Sequence, residues 1–329
     1  MNVLVTGASG FIGNKLVREL LMNDEYNVWV YLRKPIHYYN MEWANQVIAI
    51  QGDITNRDTI RKAVHGVDVV IHLAAQLGAW KAKQSDYIEV NVEGTKILVD
   101  ESKKAGVQHF IYVSTCGVFG TLQNIPADEL HPCAPRYPYE KTKYMAEQYI
   151  QSAIQEGFPA TILRPSHVYG PGDLNTVPLI KLLKIFHFFP LLGGGKSYFQ
   201  PVFIDDLTKG IILCLENRNI VLGKIYILSG KEAITFQEYI NLIAKMMNIN
   251  VITIPFSYET SMIFANINEL LAKLFHIEPI LNRFRVDFFS GYQYYNIQKA
   301  QHEFNYNPEI MIKDGMEMAL KWYKESELI

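Results

Sequence analysis

The chain has 329 residues, of which 49% are hydrophobic and 19% are charged, and its formal net charge is -2. This composition excludes an intrinsically disordered chain, and a chain without a basic stripe is not expected to bind nucleic acid. The two most apolar runs, 177–192 and 261–275, are too short to cross a bilayer, so they predict partly buried helices and no membrane span. For the first run, contact with a membrane surface or an apolar substrate is the alternative.

The three cysteines are Cys116, Cys133 and Cys214, and their spacing fits neither a disulfide framework nor a metal site. This pattern predicts a reducing, cytoplasmic location and no bound metal. We also expect no signal peptide, because the first strand is predicted to start at Asn2.

Short apolar runs alternate with amphipathic stretches along the N-terminal half of the chain. Strands are predicted at 2–7, 26–32, 47–54, 67–75, 109–115 and 161–170, and helices at 12–23, from near Asn56, at 90–106 and from near Pro138. Strands separated by helices indicate a parallel sheet, and continuously apolar strands indicate that both of its faces are covered. The predicted fold class is therefore α/β, a doubly wound parallel sheet of the Rossmann type.

The regular alternation breaks after about Gly170, where prolines interrupt an apolar segment. A strand–helix–strand pattern then returns. We predict a dinucleotide-binding Rossmann domain of residues 1–170, to whose sheet residues 200–229 return. Residues 171–199 and 230–329 are predicted to form a smaller C-terminal substrate domain.

The first predicted strand ends in a glycine-rich turn, VTGASGFIG. Gly7, Gly10 and Gly13 are spaced three apart between this strand and the first helix. Residues without a Cβ let backbone N–H groups and the helix N-terminus approach a phosphate, so the turn predicts a dinucleotide site. The alternative is a turn with close helix–strand packing and no ligand.

The end of the second strand bears on the choice of cofactor. Arg33 and Lys34 stand there, without the carboxylate that accepts hydrogen bonds from the ribose of NAD. Arginine can clamp a 2′-phosphate, so NADP(H) is favoured over NAD(H), the alternative being a solvated loop pair. Asp53, after the third strand, is expected either to accept from the adenine amino group or to cap the next helix, as Thr55 also could.

The segment RYPYEKTKYMAE holds two tyrosine–lysine pairs of equal spacing, Tyr137 with Lys141 and Tyr139 with Lys143. In a helix from Pro138, Lys143 heads an otherwise apolar stripe that faces the sheet, whereas Lys141 heads a polar, solvated stripe. Tyr137 precedes the proline and is expected to be extended. Tyr139 and Lys143 are therefore the predicted pair, against the alternative of a snorkelling lysine beside a core tyrosine.

The predicted chemistry is acid/base catalysis by Tyr139. A nearby ammonium and a positive nicotinamide ring would lower the pKa of the phenol, which would exchange a proton with a substrate oxygen while hydride moves. Ser114 and Thr115, at the end of the fifth strand, are the candidate donors to that oxygen. The alternative for both is a polar strand end that feeds a turn.

The chain resembles the extended short-chain dehydrogenase/reductase family, of the nucleotide-sugar epimerase/dehydratase type, over nearly its full length. The resemblance is carried by TGASGFIG (6–13), GDIT (52–55), HLAA (72–75), NVEGT (91–95), VSTCGVFG (113–120), PYEKTKYMAE (138–147), LRPSHVYGPGD (163–173) and PVFIDDL (201–207). It implies the Tyr139–Lys143 register and assigns the active-site hydroxyl to Thr115. It also implies that Lys143 holds the nicotinamide ribose and that the protein is a homodimer.

The cofactor-binding residues expected from these motifs are Gly7, Ser9, Gly10, Phe11, Ile12, Gly13, Arg33, Lys34, Asp53, Ile54, Leu73, Ala74, Ala75, Tyr139, Lys143 and Pro165. The expected substrate contacts are Cys116, Ser166 and His167. A structural role is an equally good interpretation of the histidine.

Two departures from the family pattern bear on the substrate. Cys116 and Gly117 stand where family dehydratases carry an acid, which disfavours a dehydratase. Phe199 stands where many nucleotide-sugar epimerases carry an arginine that grips the diphosphate, although Arg283 and Arg285 lie downstream.

The C-terminal stretch from Ile277 is similar to the branch that contains 3β-hydroxysteroid dehydrogenases and dihydroflavonol reductases, which act on apolar alcohols and ketones. The first hypothesis is therefore an NAD(P)-dependent oxidoreductase that interconverts a small-molecule alcohol and a ketone by hydride transfer. A nucleotide-sugar epimerase with a tightly bound cofactor is the alternative. A third hypothesis is a non-catalytic dinucleotide-binding protein. The presence of Tyr139, Lys143 and Thr115 together argues against it, because such a protein would not need all three.

Overall fold

The computed structural model describes residues 1–78 and 82–329 of the chain. Its strands are β1 (Asn2–Thr6), β2 (Asn27–Leu32), β3 (Ile48–Gln51), β4 (Val69–His72), β5 (His109–Val113), β6 (Ala160–Pro165), β7 (Val168–Tyr169), β8 (Phe188–Leu191), β9 (Tyr198–Phe199), β10 (Val202–Phe203), β11 (Ile225–Leu228), β12 (Ile234–Thr235) and β13 (Ile252–Pro255). Its α-helices are α1 (Phe11–Leu20), α2 (Arg57–Val64), α3 (Gln84–Tyr87), α4 (Gly94–Ala105), α5 (Pro138–Gln155), α6 (Val177–Phe186), α7 (Ile204–Glu216), α8 (Arg218–Val221), α9 (Phe236–Met246), α10 (Tyr258–Phe275), α11 (Arg283–Ser290), α12 (Gln298–Phe304) and α13 (Ile312–Glu325). A π-helical turn, Ile88–Glu93, joins α3 to α4.

Seven parallel strands form the central sheet, in the order β11-β6-β5-β4-β1-β2-β3. Helices cover both faces, because neighbouring residues of a strand point to opposite sides. Val5 of β1 packs in one apolar cluster with Leu16 of α1, and Leu4 packs in another with Leu98 of α4 and Ile150 of α5. The predicted doubly wound α/β fold is confirmed.

The order of the strands reverses its direction at β1, which lies between β2 and β4. In open parallel sheets, ligands bind at the carboxyl ends of the strands beside such a reversal. The fold therefore places a crevice where the glycine-rich turn follows β1.

Helix α5 begins at Pro138, as predicted. Its sheet-facing stripe is buried and contains Lys143, Ala146, Ile150 and Ala153. Lys141 lies on the exposed side. Tyr137 precedes the helix in an extended conformation, with φ -101° and ψ 157°, because the ring of the following proline disfavours a helical backbone there. The helical phase inferred from the sequence is confirmed.

The C-terminal half differs in part from the prediction. Within residues 200–229, β11 joins the central sheet, but β10 pairs with β7 in a separate two-stranded sheet. The helix predicted at 177–192 ends at Phe186, since His187 takes a left-handed conformation with φ 52° and β8 follows. The second apolar run forms α10. The boundaries of the two domains stay a prediction.

None of the helices within residues 1–78 and 82–329 combines the length and the apolar character that crossing a membrane requires.

Candidate active site

The predicted cofactor segments follow successive strands of the central sheet. The glycine-rich turn follows β1, Arg33 and Lys34 follow β2, Asp53 follows β3, and the segment 73–75 follows β4. Pro165 is the last residue of β6. Because parallel strands end at the same edge of a sheet, these segments share one edge.

The glycine-rich turn is held by close backbone contacts. Gly7 has φ +73°, and a Cβ there would lie 2.7 Å from the backbone nitrogen of Ala74. At Gly13, a Cβ would lie 2.2 Å from the carbonyl oxygen of Gly7. Any side chain at these two positions would force the turn away from β4 or from α1. The sequence pattern is thus explained by packing as well as by a ligand.

The N-terminus of α1 is open. Its first residue follows Gly10, and neither a side-chain cap nor an acidic residue in the first turn satisfies its N–H groups among the described residues. Such a helix start accepts an anionic group, because unpaired N–H groups and the helix dipole both favour negative charge.

The carboxyl end of β2 exposes two cations, Arg33 and Lys34. Nearby, Asp53 Oδ1 accepts hydrogen bonds from the backbone nitrogen and the hydroxyl of Thr55, at 3.0 and 2.8 Å. The side chain that caps α2 is Asn56, so the prediction of a cap by Asp53 or Thr55 is wrong. The reason is local: the Asp53 carboxylate closes its own turn and does not reach the first helical N–H groups.

Ile54 and Phe11 belong partly to the packing of the protein. Ile54 is buried, and its side chain meets α4 where Gly94 leaves room. Phe11 packs against Gly172 and the apolar cluster of the C-terminal half. Both lie beside the glycine-rich edge, so a cofactor role is compatible with their positions and stays a prediction.

Lys143 is buried beneath the edge of the sheet, with 2% of its surface exposed. Its Nζ donates a hydrogen bond to the carbonyl oxygen of Val113 at 2.7 Å and lies 4.1 Å from the centroid of the Tyr112 ring. Burial lowers the pKa of Lys143 to about 7, and the negative charge of Glu147 opposes that shift.

The pKa of Tyr139 is raised in the polypeptide, not lowered. Burial raises the pKa of Tyr139 to about 12, and Glu140 adds to the rise. This rise belongs to the polypeptide without a cofactor, so a lowering of the pKa of Tyr139 by Lys143 and a bound nicotinamide ring stays a prediction. Desolvation of the phenolate dominates, and the Lys143 ammonium is directed to the carbonyl group of Val113.

Thr115 and Ser114 lie at the carboxyl end of β5. Thr115 Oγ1 accepts a hydrogen bond from the backbone nitrogen of Gly117 at 3.0 Å, which leaves its own proton available to another acceptor. Ser114 Oγ is buried and has no hydrogen-bond partner within the described part of the chain. A buried hydroxyl without a partner is costly, so the position suits a polar group brought by a ligand.

A cavity of about 240 Å³ opens at this edge. Thr115 and Tyr139 both line it, so the structure brings together the predicted hydroxyl and the predicted acid/base. Its other lining residues include Cys116, Arg136, Tyr137, Glu140, Pro165, Ser166, His167, Phe284, Asp287, Phe288 and Tyr295.

The three predicted substrate contacts line the cavity with different chemistry. The thiol of Cys116 donates to the carbonyl oxygen of Arg164 at 3.2 Å and so points to β6. Ser166 Oγ accepts from Ser229 Oγ at 2.9 Å. Burial lowers the pKa of His167, whose ring packs against Phe199 at a centroid distance of 5.5 Å. His167 is thus a neutral, aromatic wall residue at neutral pH.

Asp287 of α11 lines the cavity but was not predicted as a site residue from the sequence. Its carboxylate accepts hydrogen bonds from the hydroxyls of Tyr137 and Tyr258, the latter at 2.9 Å, and pairs with Arg136 at 3.1 Å. Tyr137 lines the same cavity as Tyr139. The contact joins residues 150 positions apart, which no local pattern records.

Two other buried contacts position the site. Asn91, in the π-helical turn, accepts from the backbone nitrogen of Gln76 at 2.6 Å and donates to Thr142 Oγ1 at 3.0 Å, so it ties the segment after β4 to α5. Arg164 of β6 pairs with Glu147 of α5 at 2.7 Å. Asn91, Arg164 and Glu147 all belong to motifs that the chain shares with the family, and this was the signal in the sequence that could have identified them.

The parallel sheet with a reversal at β1, a glycine-rich turn and an uncapped helix start defines a Rossmann-type dinucleotide-binding enzyme fold. The sequence profile of the NAD dependent epimerase/dehydratase family matches residues 3–229. The chain belongs to this family, and its resemblance to the extended short-chain dehydrogenases/reductases is confirmed.

Relatives in the family catalyse different reactions. A 2-alkyl-3-oxoalkanoate reductase of Stenotrophomonas maltophilia is 29% identical over 327 residues, which cover 96% of this chain and 97% of the relative. A decarboxylating sterol-4-alpha-carboxylate 3-dehydrogenase of Schizosaccharomyces pombe is 26% identical over 337 residues, which cover 98% and 97%. The crystal structure of a UDP-glucuronic acid 4-epimerase from Bacillus cereus in complex with NAD superimposes with a TM-score of 0.79 at 25% identity and covers 99% of both chains.

The residues present fit the nicotinamide dinucleotide that the family name implies. The open helix start of α1 suits its phosphates, and the unpartnered hydroxyl of Ser114 suits a polar group beside β5.

The lowered pKa of Lys143 predicts a pH dependence of stability. The unfolded chain keeps this proton up to about pH 10.5, whereas the folded chain releases it near pH 7, so the free energy of unfolding should rise between these values. The upper limit of the contribution is about 1.4 kcal/mol per pH unit. In urea unfolding from pH 7 to 9, Lys143→Met should flatten the rise, while Lys141→Met, at the exposed control position, should retain it. Equal slopes in the wild type and Lys143→Met would contradict the assignment.

Proposed function

We propose that the protein is an NADP(H)-dependent oxidoreductase that interconverts an alcohol and a ketone on an apolar skeleton. The observation that carries the proposal is the shared cavity of Thr115 and Tyr139 at the sheet edge that holds the glycine-rich turn. When bound, the nicotinamide supplies or accepts the hydride. All other steps fall to side chains of this chain.

In the proposed reaction, Thr115 orients the substrate oxygen by donating the proton that its own hydrogen-bond pattern leaves free. Tyr139 transfers the proton to or from that oxygen. With its pKa raised to about 12, Tyr139 keeps its proton at neutral pH, which suits the reduction of a ketone better than the oxidation of an alcohol. Lys143 is proposed to hold the nicotinamide ribose, together with the glycine-rich turn around the phosphates.

The charges of the cavity support an apolar substrate over a sugar diphosphate. Among the described lining residues Arg136 is the single lysine or arginine, and Asp287 already pairs with it. Glu140 adds a second carboxylate to the lining. A diphosphate would bring two more negative charges to a wall that has no cation to spare.

The positions that would bind a diphosphate are otherwise engaged. Phe199 lies in an aromatic cluster with His167 and Tyr239, at centroid distances of 5.5 and 5.0 Å. Arg283 pairs with Glu269 at 3.2 Å, and the Arg285 guanidinium donates to the backbone carbonyl groups of Pro279 and Ile280, in the loop before α11. These contacts support the alcohol–ketone assignment.

An epimerase acting on a nucleotide sugar is the second candidate. It is favoured by the full-length similarity to the UDP-glucuronic acid 4-epimerase, whose fold covers this chain from end to end. Such an enzyme would oxidise and then reduce its substrate, without net turnover of the cofactor.

A cytoplasmic homodimer is also proposed. The three cysteines are free thiols, which suits a reducing compartment. The dimer is what the family resemblance implies.

The cofactor preference has a direct test. In Arg33→Ala, the Kd for NADPH should rise roughly tenfold or more while the Kd for NADH stays nearly constant, because a charge-assisted hydrogen bond to the 2′-phosphate contributes about 1.5–3 kcal/mol. Fluorescence titration of both cofactors measures the two constants. Arg18→Ala, an exposed arginine paired with Glu42, is the matched control. A wild type that binds NADH more tightly than NADPH would refute the preference.

The catalytic assignment is tested by two tyrosine variants. Tyr139→Phe should lower turnover at least about 100-fold, which is the scale of general acid catalysis, and leave cofactor binding intact. Tyr137→Phe should keep turnover within a few-fold but raise KM, because it loses the contact with Asp287 at the cavity wall. Steady-state kinetics with a ketone panel separates the two effects. Most of the activity surviving in Tyr139→Phe would remove Tyr139 from the mechanism.

A further inference from the structure

Helix α10 presents its large apolar side chains to solvent. Seven of them are exposed by 46–68% of their surface and form what we call the α10 apolar face: Ile263, Phe264, Ile267, Leu270, Leu271, Leu274 and Phe275. Their spacing of one, three and four residues places them on one broad side of the helix. In most water-soluble proteins the apolar side of a helix packs on the core, whereas in α10 the apolar side faces solvent.

The side of α10 that packs against the protein consists of small and polar residues, of which Ala265 belongs to a small apolar cluster with Leu192 and Val286. Its buried members are Ser261, Ala265 and Ala272. On the same side, Asn268 Oδ1 accepts from the backbone nitrogen of Leu281 at 3.0 Å, and the Glu269 carboxylate pairs with Arg283 at 3.2 Å. Polar contacts and the packing of small side chains thus fix the helix with its apolar face outward.

The apolar surface continues beyond the helix. Ile252 and Ile254 of β13 point to one side of their strand and are exposed. Phe256 lies in the same register, and its ring contacts Phe264 of the α10 apolar face at a centroid distance of 5.9 Å. The exposed surface is therefore wider than one helix.

Charge around the α10 apolar face favours a negative partner. Lys273 is exposed and forms none of the ion pairs found within residues 1–78 and 82–329. Glu269 is neutralised by Arg283, and Glu278 faces Arg285 at 3.8 Å. The exposed Glu259 lies at the opposite end, in the first turn of the helix, where the helix dipole stabilises it.

We propose that the α10 apolar face docks on the surface of a lipid leaflet containing anionic phospholipid, without crossing it. A flat partner fits because the face is broader than the narrow seam by which two helices pair, and β13 widens it further. This inference rests on the proposed function, since an apolar ketone dissolves in such a leaflet.

The cavity lies close to this surface. Tyr258, at the start of α10, donates to Asp287 of the cavity wall at 2.9 Å. Phe284 is exposed, lines the cavity and packs against Tyr137 at a centroid distance of 5.0 Å. Docking through α10 would bring the cavity to the lipid surface, so an apolar substrate would enter it with little exposure to water.

Flotation with vesicles tests the proposal on the full chain. Wild type should float with vesicles of phosphatidylcholine and phosphatidylserine. The double variant Leu270→Ser/Leu274→Ser should bind them at least about tenfold less, because each of these leucines is 68% exposed and would enter the leaflet. The matched control is Leu130→Ser, a leucine that is 89% exposed on another surface and should float like the wild type. Lys273→Glu should weaken binding to vesicles with phosphatidylserine more than to pure phosphatidylcholine.

Turnover of a water-soluble short-chain ketone separates this proposal from the proposed function. The double variant should retain wild-type turnover in solution, since its leucines lie outside the cavity. A wild type that does not float, or a double variant that floats normally, would overturn the docking proposal and leave the reaction untouched. Flotation without turnover of any ketone would support docking and count against the reaction. If sedimentation shows that the double substitution only splits a dimer and the wild type ignores vesicles, the face binds a second copy instead.

Discussion

The buried ion pair between Arg164 and Glu147 fixes the geometry on which the site depends. The two groups are 3% and 0% exposed, and Arg164 Nη2 lies 2.7 Å from Glu147 Oε2. Removing one partner of such a pair leaves an unpaired buried charge, at a cost of about 3–5 kcal/mol. The pair locks α5 against β6 in one register. Glu147, Lys143 and Tyr139 are spaced four apart, so the same register places the ammonium beneath the sheet edge and the phenol in the cavity.

Burial sets the electrostatics of this site more than pairwise contacts do. Desolvation pushes Lys143 toward its neutral form and Tyr139 toward its protonated form, so the phenol keeps its proton while the lysine loses its own more readily than a solvated lysine does. Among the described residues of the cavity wall, Asp287 and Glu140 stand against one guanidinium, that of Arg136. A neutral, apolar ketone suits these surroundings, and the outward-facing α10 apolar face suits the place where such a molecule accumulates.

Short-range sequence patterns predicted the features that depend on neighbouring residues, namely the parallel sheet and the buried side of α5. The alternation of strands and helices gave the parallel sheet, and helical phase with the Pro138 boundary separated the stripe of Lys143 from that of Lys141. Contacts between distant segments, such as that of Tyr137 with Asp287, could not be predicted from the sequence, because no short-range periodicity encodes them. The rise in the pKa of Tyr139 that burial causes could not be predicted from the sequence, since desolvation depends on how completely the folded chain covers the phenol. Asn56, not Asp53, caps α2. The position of the helix start, within a few residues, decides which side-chain oxygen reaches the first N–H groups, and the sequence pattern did not fix that position.

The proposed reaction is net hydride transfer to an apolar ketone in the cavity of Tyr139. Its most direct measurement is mass spectrometry of the product formed from such a ketone and NADPH deuterated at both C4 positions. We expect an alcohol that carries one deuterium, formed together with one equivalent of oxidised cofactor. Conversion of a nucleotide sugar to its epimer without net cofactor oxidation, together with an unreduced ketone, would contradict it.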